Sequence, residues 1–357
     1  MKQFFLGSCL LLSLFAHAQQ RKTENVVIVT LDGMRWQEIF GGVDSSIMND
    51  PKYTKHQKDL SAAYWDPDTD NRRKKLFPFF WGFLRERGQL YGNRARGNLV
   101  NVSNPYQFSY PGYNEIFTGY PDTAVNSNDK VINKNTNVLE FINGQKGYGG
   151  KVAVFSTWDA FPYILNRQRN GIYMNSDTDS LSFGSREFRM INDMQFLAPQ
   201  PLAVRPDLLT FFAARQYLKE FRPRVLYLAW DETDDYAHAG LYDQYINSAH
   251  AEDKMLADLW STLQSMPGYK DRTTLIVTCD HGRGGKIKDQ WRDHGADVEG
   301  SGAIWMAVIG PDTRASGEMT QPSQLYQKQW APTIAALLGL SFRPDQGSAD
   351  PVRSVLE

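Results

Sequence analysis

The sequence predicts an α/β fold, with a doubly wound, mainly parallel central sheet flanked by helices and carrying surface insertions. Short runs rich in β-branched residues recur along the chain without polar alternation, which is typical of strands buried on both faces. Stretches with helical periodicity separate these runs, and strands that alternate with helices form parallel sheets. The composition, with 41% hydrophobic and 22% charged residues, is that of an ordinary globular protein.

Five strands are predicted from the apolar runs at 26–31, 152–155, 225–230, 274–278 and 303–309. Three of these runs end at acidic residues, namely Asp32, the cluster from Asp231 to Asp235, and Asp280. Ligands bind beyond the carboxyl ends of the strands in open α/β sheets. We therefore expect these acidic groups to lie in one crevice.

The helices between these strands are predicted at about 78–88, 112–119, 207–221, 241–265 and 328–340. In the fourth of them, Leu256, Leu259 and Leu263 recur at spacings of three and four. This spacing is typical of a helix that buries one face against a sheet.

The chain of 357 residues is expected to form a single catalytic domain over residues 19–357. Two ranges are predicted to be surface insertions, at about 43–75 and 164–206, because they are polar or aperiodic and rich in turn residues. Insertions near a site often determine substrate selectivity. The basic run Arg72–Lys75 in the first range is interpreted as a solvated loop.

The first residues have the pattern of a secretory signal peptide over residues 1–18. Lys2 precedes an apolar run from Phe4 to Phe15, and Ala16-His17-Ala18 follows as a cleavage site. The apolar run is too short to span a bilayer as a helix. Cleavage after Ala18 and a periplasmic or secreted location are therefore predicted.

The cysteine and charge content disfavour several other classes of protein. Cys9 follows a sequence similar to a lipoprotein box, but too few apolar residues precede it to favour a lipid anchor. Cys279 would then be alone in the mature chain, where its apolar surroundings indicate a small buried side chain. With 39 Lys and Arg against 40 Asp and Glu, the chain lacks the basic excess of a nucleic-acid binder. No later stretch predicts a membrane span, and the oligomeric state is left open.

Six carboxylate and imidazole side chains lie at or shortly after the predicted strand ends, and they are candidate metal ligands: Asp32, Asp234, His238, Asp280, His281 and His294. Nitrogen and oxygen ligands without thiolates suit zinc or manganese. Two such ions together stabilise the attacking and leaving oxygens of a phosphoryl displacement. Taken singly, each aspartate is more often a turn residue or helix cap, and each histidine a structural hydrogen-bonder; the joint pattern favours metal binding.

Ser109 is the candidate nucleophile. It lies at the mouth of a predicted helix, since Pro111 suits a first helical turn and Gly119 ends the segment. A helix N-terminus stabilises negative charge, and a serine oxygen there can act as a nucleophile when a metal binds it. The alternative is that Ser109 only caps the helix, and the nearby metal-ligand pattern favours the nucleophile.

These segments together resemble the motifs of the alkaline phosphatase superfamily: Thr30–Trp36, Ser109–Gly119, Asp234–His238, Asp280–Gly282 and His294–Gly295. The phosphodiesterase and cofactor-independent phosphoglycerate-mutase-like branches are the most similar. The segments span about residues 25–310 in the family's order, which makes the match more specific than any single motif. The resemblance implies an alkaline-phosphatase-like fold and two divalent metal ions, with zinc favoured over manganese.

The resemblance also implies roles for individual residues. One metal would be held by four residues, Asp32, Asp280, His281 and the Ser109 oxygen. The other would be held by three, Asp234, His238 and His294. Ser109 would attack phosphorus in line and form a phosphoseryl intermediate.

The candidate substrate-binding residues come from positions where the sequence departs from the family pattern. Gly112 stands where the diesterase branch has an asparagine, so Asn114 and Asn128 are alternative phosphate ligands. The Lys/Arg pair that some monoesterases place after the 152–155 strand is replaced by Ser156–Asp159. Candidates for that role are Arg283, Lys286 and Arg292, each of which could equally be a surface charge. Trp158 is a candidate wall for the second substituent of a diester.

The leading functional interpretation is an exported two-metal phosphomonoesterase that acts on a small-molecule phosphate ester. The first alternative is a phosphodiesterase or nucleotide pyrophosphatase-like hydrolase. A catalytically inert metal- or phosphate-binding homologue is the second alternative, and it is less favoured because all seven expected positions hold competent residues. A sulfatase is disfavoured because Ser109–Tyr113 lacks the arginine of the sulfatase pattern.

Overall fold

The computed structural model describes residues 21–200, 202, 204–344, 346–347 and 349–357. The predicted signal peptide at residues 1–18 lies outside the described residues. Within the described residues the strands are β1 (Asn25–Leu31), β2 (Gln89–Tyr91), β3 (Asn98–Asn101), β4 (Val152–Ser156), β5 (Tyr173–Ser176), β6 (Val225–Trp230), β7 (Thr273–Thr278), β8 (Ala303–Ile304), β9 (Met306–Ile309), β10 (Gly317–Glu318) and β11 (Ser323–Tyr326).

The described α-helices are α1 (Trp36–Gly41), α2 (Ser45–Met48), α3 (Gln57–Tyr64), α4 (Thr69–Leu76), α5 (Arg85–Arg87), α6 (Ser109–Thr118), α7 (Val138–Asn143), α8 (Phe161–Ile164), α9 (Arg167–Asn170), α10 (Arg186–Leu197), α11 (Asp207–Phe221), α12 (Glu232–His238), α13 (Tyr242–Ser265) and α14 (Trp330–Leu337). A π-helical turn, Phe80–Leu84, precedes α5. Short 3₁₀ turns lie at Arg94–Arg96, Lys288–Arg292, Gln327–Gln329 and Arg353–Leu356.

The central sheet has eight strands in the order β10-β2-β9-β7-β1-β6-β4-β5. The five strands from β7 to β5 run parallel to one another, and β9 pairs antiparallel with both β7 and β2. A small second sheet has the order β11-β3-β8. The predicted α/β fold with a mainly parallel central sheet is confirmed.

The centre of the sheet explains the apolar runs in the sequence. Every residue of β1, β6 and β7 is buried, as expected for parallel strands covered by helices on both faces. In α13 the predicted stripe of Leu256, Leu259 and Leu263 is fully buried. The run predicted as one strand over 303–309 is instead two strands in different sheets, separated at Trp305, whose indole N–H donates to the Met34 carbonyl.

The two predicted insertions differ in their relation to the sheet. Range 43–75 forms α2, α3 and α4, so the basic run Arg72–Lys75 lies in a helix rather than in the predicted loop. Range 164–206 contains α9 and α10, but it also contains β5, the edge strand of the central sheet. Part of this second range therefore belongs to the sheet itself. No helix in the described part of the chain is both long and apolar enough to cross a membrane.

Candidate active site

The candidate site lies at the carboxyl edge of three adjacent strands. In the sheet, β1 is paired with β6 on one side and β7 on the other. Asp32 follows β1, α12 with Asp234 and His238 follows β6, and Asp280-His281 follows β7 after one residue. Because the three strands are parallel neighbours, their ends bring these side chains together at one edge.

We call Asp32, Asp280 and His281 the inner cluster, because their side chains are no more than 1% exposed. The Nε2 atom of His281 lies 3.4 Å from Asp32 Oδ1 and 3.4 Å from Asp280 Oδ2. Both of these carboxylate oxygens are buried and have no hydrogen-bond partner among the described residues. Burial, followed by the charge of a neighbouring aspartate, raises the pKa of Asp32 and of Asp280 well above its ordinary value.

The remaining polar atoms of the inner cluster are held by the protein. Asp32 Oδ2 accepts a hydrogen bond from the Tyr113 hydroxyl at 2.8 Å, and Asp280 Oδ1 accepts one from the Gly33 N–H at 3.1 Å. His281 Nδ1 donates to the Gly282 carbonyl at 2.9 Å, so Nε2 is the ring nitrogen that faces the two carboxylates. Each residue therefore has one atom fixed and one directed to a common point, which is how hydrogen bonds from surrounding groups orient metal ligands.

We call Asp234, His238 and His294 the outer cluster. His238 Nε2 lies 2.9 Å from His294 Nε2 and 3.2 Å from Asp234 Oδ2, and His294 Nε2 lies 3.7 Å from Asp234 Oδ1. Burial, followed by the nearby His281, lowers the pKa of His294 to about 2, so its ring is neutral. Two imidazole nitrogens that face each other beside a carboxylate suit a shared cation.

The two clusters adjoin, because His281 Nε2 is also 3.7 Å from Asp234 Oδ1. His281 thus faces both clusters, whereas the family resemblance implied that it holds one metal only. The atoms of Asp32, Asp280 and His281, and those of Asp234, His281 and His294, lie close enough together to hold a cation in each group. The donor set fits the divalent metals predicted from the sequence.

Ser109 is the first residue of α6, and its Oγ lies 3.2 Å from His281 Nε2. The N-cap of this helix is Phe108, so Ser109 does not have the capping role that was its alternative. Gly112 explains how the helix comes so close to the inner cluster, because a Cβ there would lie 2.5 Å from the Asp280 carbonyl oxygen. All seven predicted nucleophile and metal positions therefore meet in one place.

The predicted phosphate ligand Arg283 is placed differently. Its side chain is fully buried, and Nε donates to the Gly33 carbonyl at 3.1 Å while Nη1 donates to the Arg292 carbonyl at 2.5 Å. Nη2 forms an ion pair with Asp234 Oδ1. Although burial raises the pKa of Asp234, Arg283 and His238 outweigh it and lower that pKa well below its ordinary value. Arg283 is thus bound to protein groups around the outer cluster, which does not support its predicted role as a phosphate ligand.

Gly33 makes room for this arginine. Its φ of +56° is one that side-chain-bearing residues rarely adopt, and a Cβ there would lie 2.7 Å from Arg283 Nη2. The residue after Asp32 is therefore glycine for both a conformational and a steric reason.

Asn114, another predicted phosphate ligand, is buried, and its amide is occupied by protein groups. Its Nδ2 donates to the Tyr120 carbonyl, and its Oδ1 accepts from Asn133 and Asn135. Asn128, in contrast, is exposed, and its Oδ1 accepts the Tyr110 N–H at 2.9 Å. The Asn128 side chain therefore lies at the N-terminus of α6, where it is bonded to the residue that follows Ser109.

The other substrate candidates lie at the periphery. The Arg292 guanidinium is 5.7 Å from the Tyr53 ring, and Lys286 pairs with Glu299 at 2.9 Å on the surface. Trp158 packs edge-on against Phe161 with ring centroids 6.3 Å apart. None of the contacts described for these three side chains reaches the two clusters.

Two contacts of the inner cluster were not predicted from the sequence. Tyr113 hydrogen-bonds Asp32 from the same helix face as Ser109, four residues earlier, a spacing that could have indicated it. Gln327 Nε2 donates to the Asp280 carbonyl at 2.6 Å from a distant part of the chain, and no local signal points to it.

Comparison with known proteins agrees with this geometry. The protein is a hydrolase of the alkaline phosphatase superfamily. More particularly, it belongs to the type I phosphodiesterase / nucleotide pyrophosphatase family, whose model matches residues 86–292. The predicted superfamily membership is confirmed. A search of curated proteins found no match.

Solved structures share the fold at low sequence identity. Wild-type alkaline phosphatase PafA is 12% identical with a TM-score of 0.61, and the match covers 95% of this chain and 99% of that chain. The lipoteichoic acid synthase LtaP from Listeria monocytogenes is 13% identical with a TM-score of 0.59, covering 94% and 76%. The 2-O GAG sulfatase BT1596 is 13% identical with a TM-score of 0.57, covering 93% and 74%.

Proposed function

We propose that the protein hydrolyses phosphate esters at a site for two divalent cations, through a phosphoseryl intermediate on Ser109. The observation that carries this proposal is the convergence of the unpartnered oxygens of Asp32 and Asp280 with Ser109 Oγ around His281 Nε2. Bound divalent cations would supply charge for the phosphate oxygens. Zinc fits the nitrogen and oxygen donors best, with manganese as the alternative.

Residues of the chain itself have the other roles in the proposed reaction. Ser109 Oγ lies at the N-terminus of α6, whose partial positive charge favours a developing oxygen anion. The oxygen attacks phosphorus while the leaving oxygen departs, and water then displaces the serine oxygen from phosphorus. Among the predicted phosphate ligands, Asn128 is the one whose amide we assign to a non-bridging phosphate oxygen. Its side chain is exposed, and its carbonyl is fixed on the Tyr110 N–H.

We propose phosphodiesters as the preferred substrates. A monoester carries a second negative charge on phosphorus and gains from a free cationic side chain, but Arg283 is engaged with Asp234 and Ser156–Asp159 contains no Lys or Arg. The family match points in the same direction. The phosphomonoesters favoured by the sequence are the second candidate, supported by the similarity in fold to the phosphatase PafA.

Hydrolysis of three aryl esters side by side tests this proposal, with zinc- or manganese-loaded mature protein. The esters are a phosphate diester, a phosphate monoester and a sulfate ester. The diester should turn over fastest, and a faster monoester would restore the monoesterase interpretation. Lack of turnover on all three, with two metals bound, would favour the inert homologue and contradict the proposal.

We also propose that the protein is exported and that residues 19–357 form one catalytic domain. The basic, apolar and small-residue pattern of residues 2–18 supports export. N-terminal sequencing of protein recovered from outside the cytoplasm should begin at Gln19. An uncleaved N-terminus on cytoplasmic protein would contradict export, and two separate unfolding transitions would contradict the single domain.

A further inference from the structure

Two cavities share Trp36 and Gln37 in their walls, and together we call them the Trp36 groove. Their volumes are about 580 and 510 Å³. The larger cavity is also lined by Gln107, two residues before Ser109. Since consecutive Cα atoms are about 3.8 Å apart, the Cα atom of Gln107 lies within roughly 8 Å of the Cα atom of Ser109.

The groove joins the site to a part of the chain outside the central sheet. Trp36 follows Asp32 by four residues and begins α1. The smaller cavity is lined by Arg72 and Arg73 of α4, which belongs to the range predicted to be an insertion. Selectivity for a substituent of the substrate is the expected role of such an addition beside a site.

The larger cavity contains a cation that lacks an acidic partner. Arg94 donates to Asn101 Oδ1 at 2.7 Å, and among the described residues no carboxylate lies within ion-pair distance of it. Lys286 and Glu299 also line this cavity but pair with each other, so their charges offset. Arg94 therefore gives the cavity next to Ser109 a net positive charge.

The smaller cavity also has an excess of positively charged side chains. Arg96 lines it, is exposed, and has no ion pair in the described part of the chain. Arg73 is paired with Asp70 and Glu318, whereas Arg72 donates only to uncharged acceptors, the carbonyls of Gly41 and Asp66 and the Thr69 hydroxyl. Cations thus exceed carboxylates along the whole groove.

The shared wall offers two further features for a ligand. Trp36 is only partly buried, so part of its ring faces the groove and can pack against a flat group. Gln37 Oε1 is buried and has no hydrogen-bond partner among the described residues. An unpaired buried acceptor is costly, so Gln37 gains from any rearrangement that brings a donor to this oxygen.

We propose that the Trp36 groove binds the larger substituent of a phosphodiester when that substituent carries a ring and a terminal phosphate. The ring packs on Trp36, and the terminal phosphate is bound by Arg94 and Arg96. This inference rests on the proposed diesterase function and adds to it the chemical class of the substituent.

Matched substrates test the groove. Two nitrophenyl phosphodiesters of the same nucleoside are compared, one of them with an additional terminal phosphate on the sugar. Wild-type protein should have a kcat/KM at least about tenfold higher for the phosphorylated substrate, mainly through KM. Arg94→Gln should remove most of that preference and Arg96→Gln a smaller part, while turnover of the unphosphorylated nucleoside ester stays unchanged.

The control variant is Arg186→Gln, an exposed arginine on α10 with no described ion pair, which should leave the preference intact. Trp36→Leu should weaken both nucleoside esters but not bis(nitrophenyl) phosphate, which also reports whether the variant is folded. An equal preference in wild type and Arg94→Gln would overturn the proposal.

A binding experiment distinguishes failure of this proposal from failure of the proposed function. The metal-loaded Ser109→Ala variant is titrated by calorimetry with a nucleoside bisphosphate, in the presence and absence of Arg94→Gln. Binding weakened about tenfold by Arg94→Gln, without turnover of any ester by the wild type, would retain the groove and reject the hydrolase. Binding that is indifferent to Arg94→Gln would reject the groove even if diesters are hydrolysed.

Discussion

The inner and outer clusters are built from similar side chains but differ in how the protein holds them. In the inner cluster, His281 is fully buried and each residue has one atom fixed by a neighbour. In the outer cluster, His238 is 45% exposed, and its described side-chain contacts are with Asp234 and His294 themselves. The inner half is thus preorganised and closed, whereas the outer half is open to solvent at His238, since the side chains of Asp234 and His294 are only 12% and 11% exposed.

The position in the chain explains this difference. Asp32 directly follows β1 and Asp280 follows β7 after one residue, and both strands are paired with neighbours on both sides in the middle of the sheet. His238 ends α12, and His294 lies in a loop after the 3₁₀ turn Lys288–Arg292. The open half has a different stabilising element, because the buried Arg283 guanidinium places a permanent positive charge beside Asp234.

The largest expected effect concerns the nucleophile at the inner cluster. Ser109→Ala should lower kcat by more than about 100-fold, or ~2.7 kcal/mol of barrier, while the fold and most of the metal are retained. Steady-state kinetics and elemental analysis measure the two quantities. Ser182→Ala, at an exposed serine, is the control. A Ser109→Ala rate above about a tenth of wild type would remove Ser109 from this role.

Removal of one ligand from each cluster tests the difference between the inner and outer clusters. His238→Ala should lower the bound metal from two ions to one, because the inner cluster keeps all of its ligands. Asp280→Ala should lower the bound metal further. It removes a ligand beside His281, and His281 faces the outer cluster through Asp234 as well. Elemental analysis after dialysis measures the metal. Equal loss of both ions in the two variants would mean that the clusters do not bind independently.

Complete metal removal tests both clusters at once. A chelator should abolish activity and lower the melting temperature, because cations that bind only the folded state stabilise it. Scanning calorimetry with and without chelator measures the shift, and re-addition of zinc should restore it. An unchanged melting temperature together with no bound metal would contradict the metal sites.

Arg283 is expected to matter most when metal is absent. Arg283→Met should destabilise the metal-free protein by about 3 kcal/mol, because it leaves the buried Asp234 carboxylate without its guanidinium. Bound cations should offset part of that loss. Urea denaturation in chelator and in zinc compares the two conditions, with Arg186→Met as the control. Equal losses in both would show that Arg283 acts independently of the outer cluster.

The smallest effect concerns the charge of the inner cluster. In metal-free protein, Asp32→Asn should raise stability by about 1 kcal/mol, because burial and Asp234 oppose ionisation of this carboxyl. The gain over wild type should grow as pH rises above the ordinary pKa of 3.8, since the unfolded chain ionises there and the folded protein resists it.

Denaturant unfolding at several pH values in chelator measures this gain. Asp193→Asn, at an exposed position on α10, is the control. With zinc bound the sign should reverse, because Asp32→Asn then weakens metal binding. A gain that shrinks as pH rises would contradict the interpretation.

Much of this architecture could be predicted from the sequence because it is local. The buried parallel strands appear as apolar runs, and the residues that follow them are the ones that meet at the sheet edge. That is why the seven predicted positions were found from short segments. β5 was missed because Tyr173–Ser176 is not a β-branched run and gives no strand signal.

The roles of Arg283 and Asn114 depend on partners that are distant in the chain. Arg283 is bound by carbonyls of Gly33 and Arg292 and by Asp234, and only the folded structure brings these together. Asn114 is likewise occupied by residues of the 120–135 loop. An arginine or asparagine near a motif therefore indicates proximity to a site, but burial decides whether it can reach a substrate.

The stereochemical outcome at phosphorus tests the central claim most directly. A phosphodiester that is chiral at phosphorus is hydrolysed in isotopically labelled water, and the configuration of the product is determined. Attack by Ser109 followed by attack of water is two in-line displacements, so the account predicts net retention of configuration. Net inversion would mean that water attacks the substrate directly, and it would contradict the phosphoseryl intermediate.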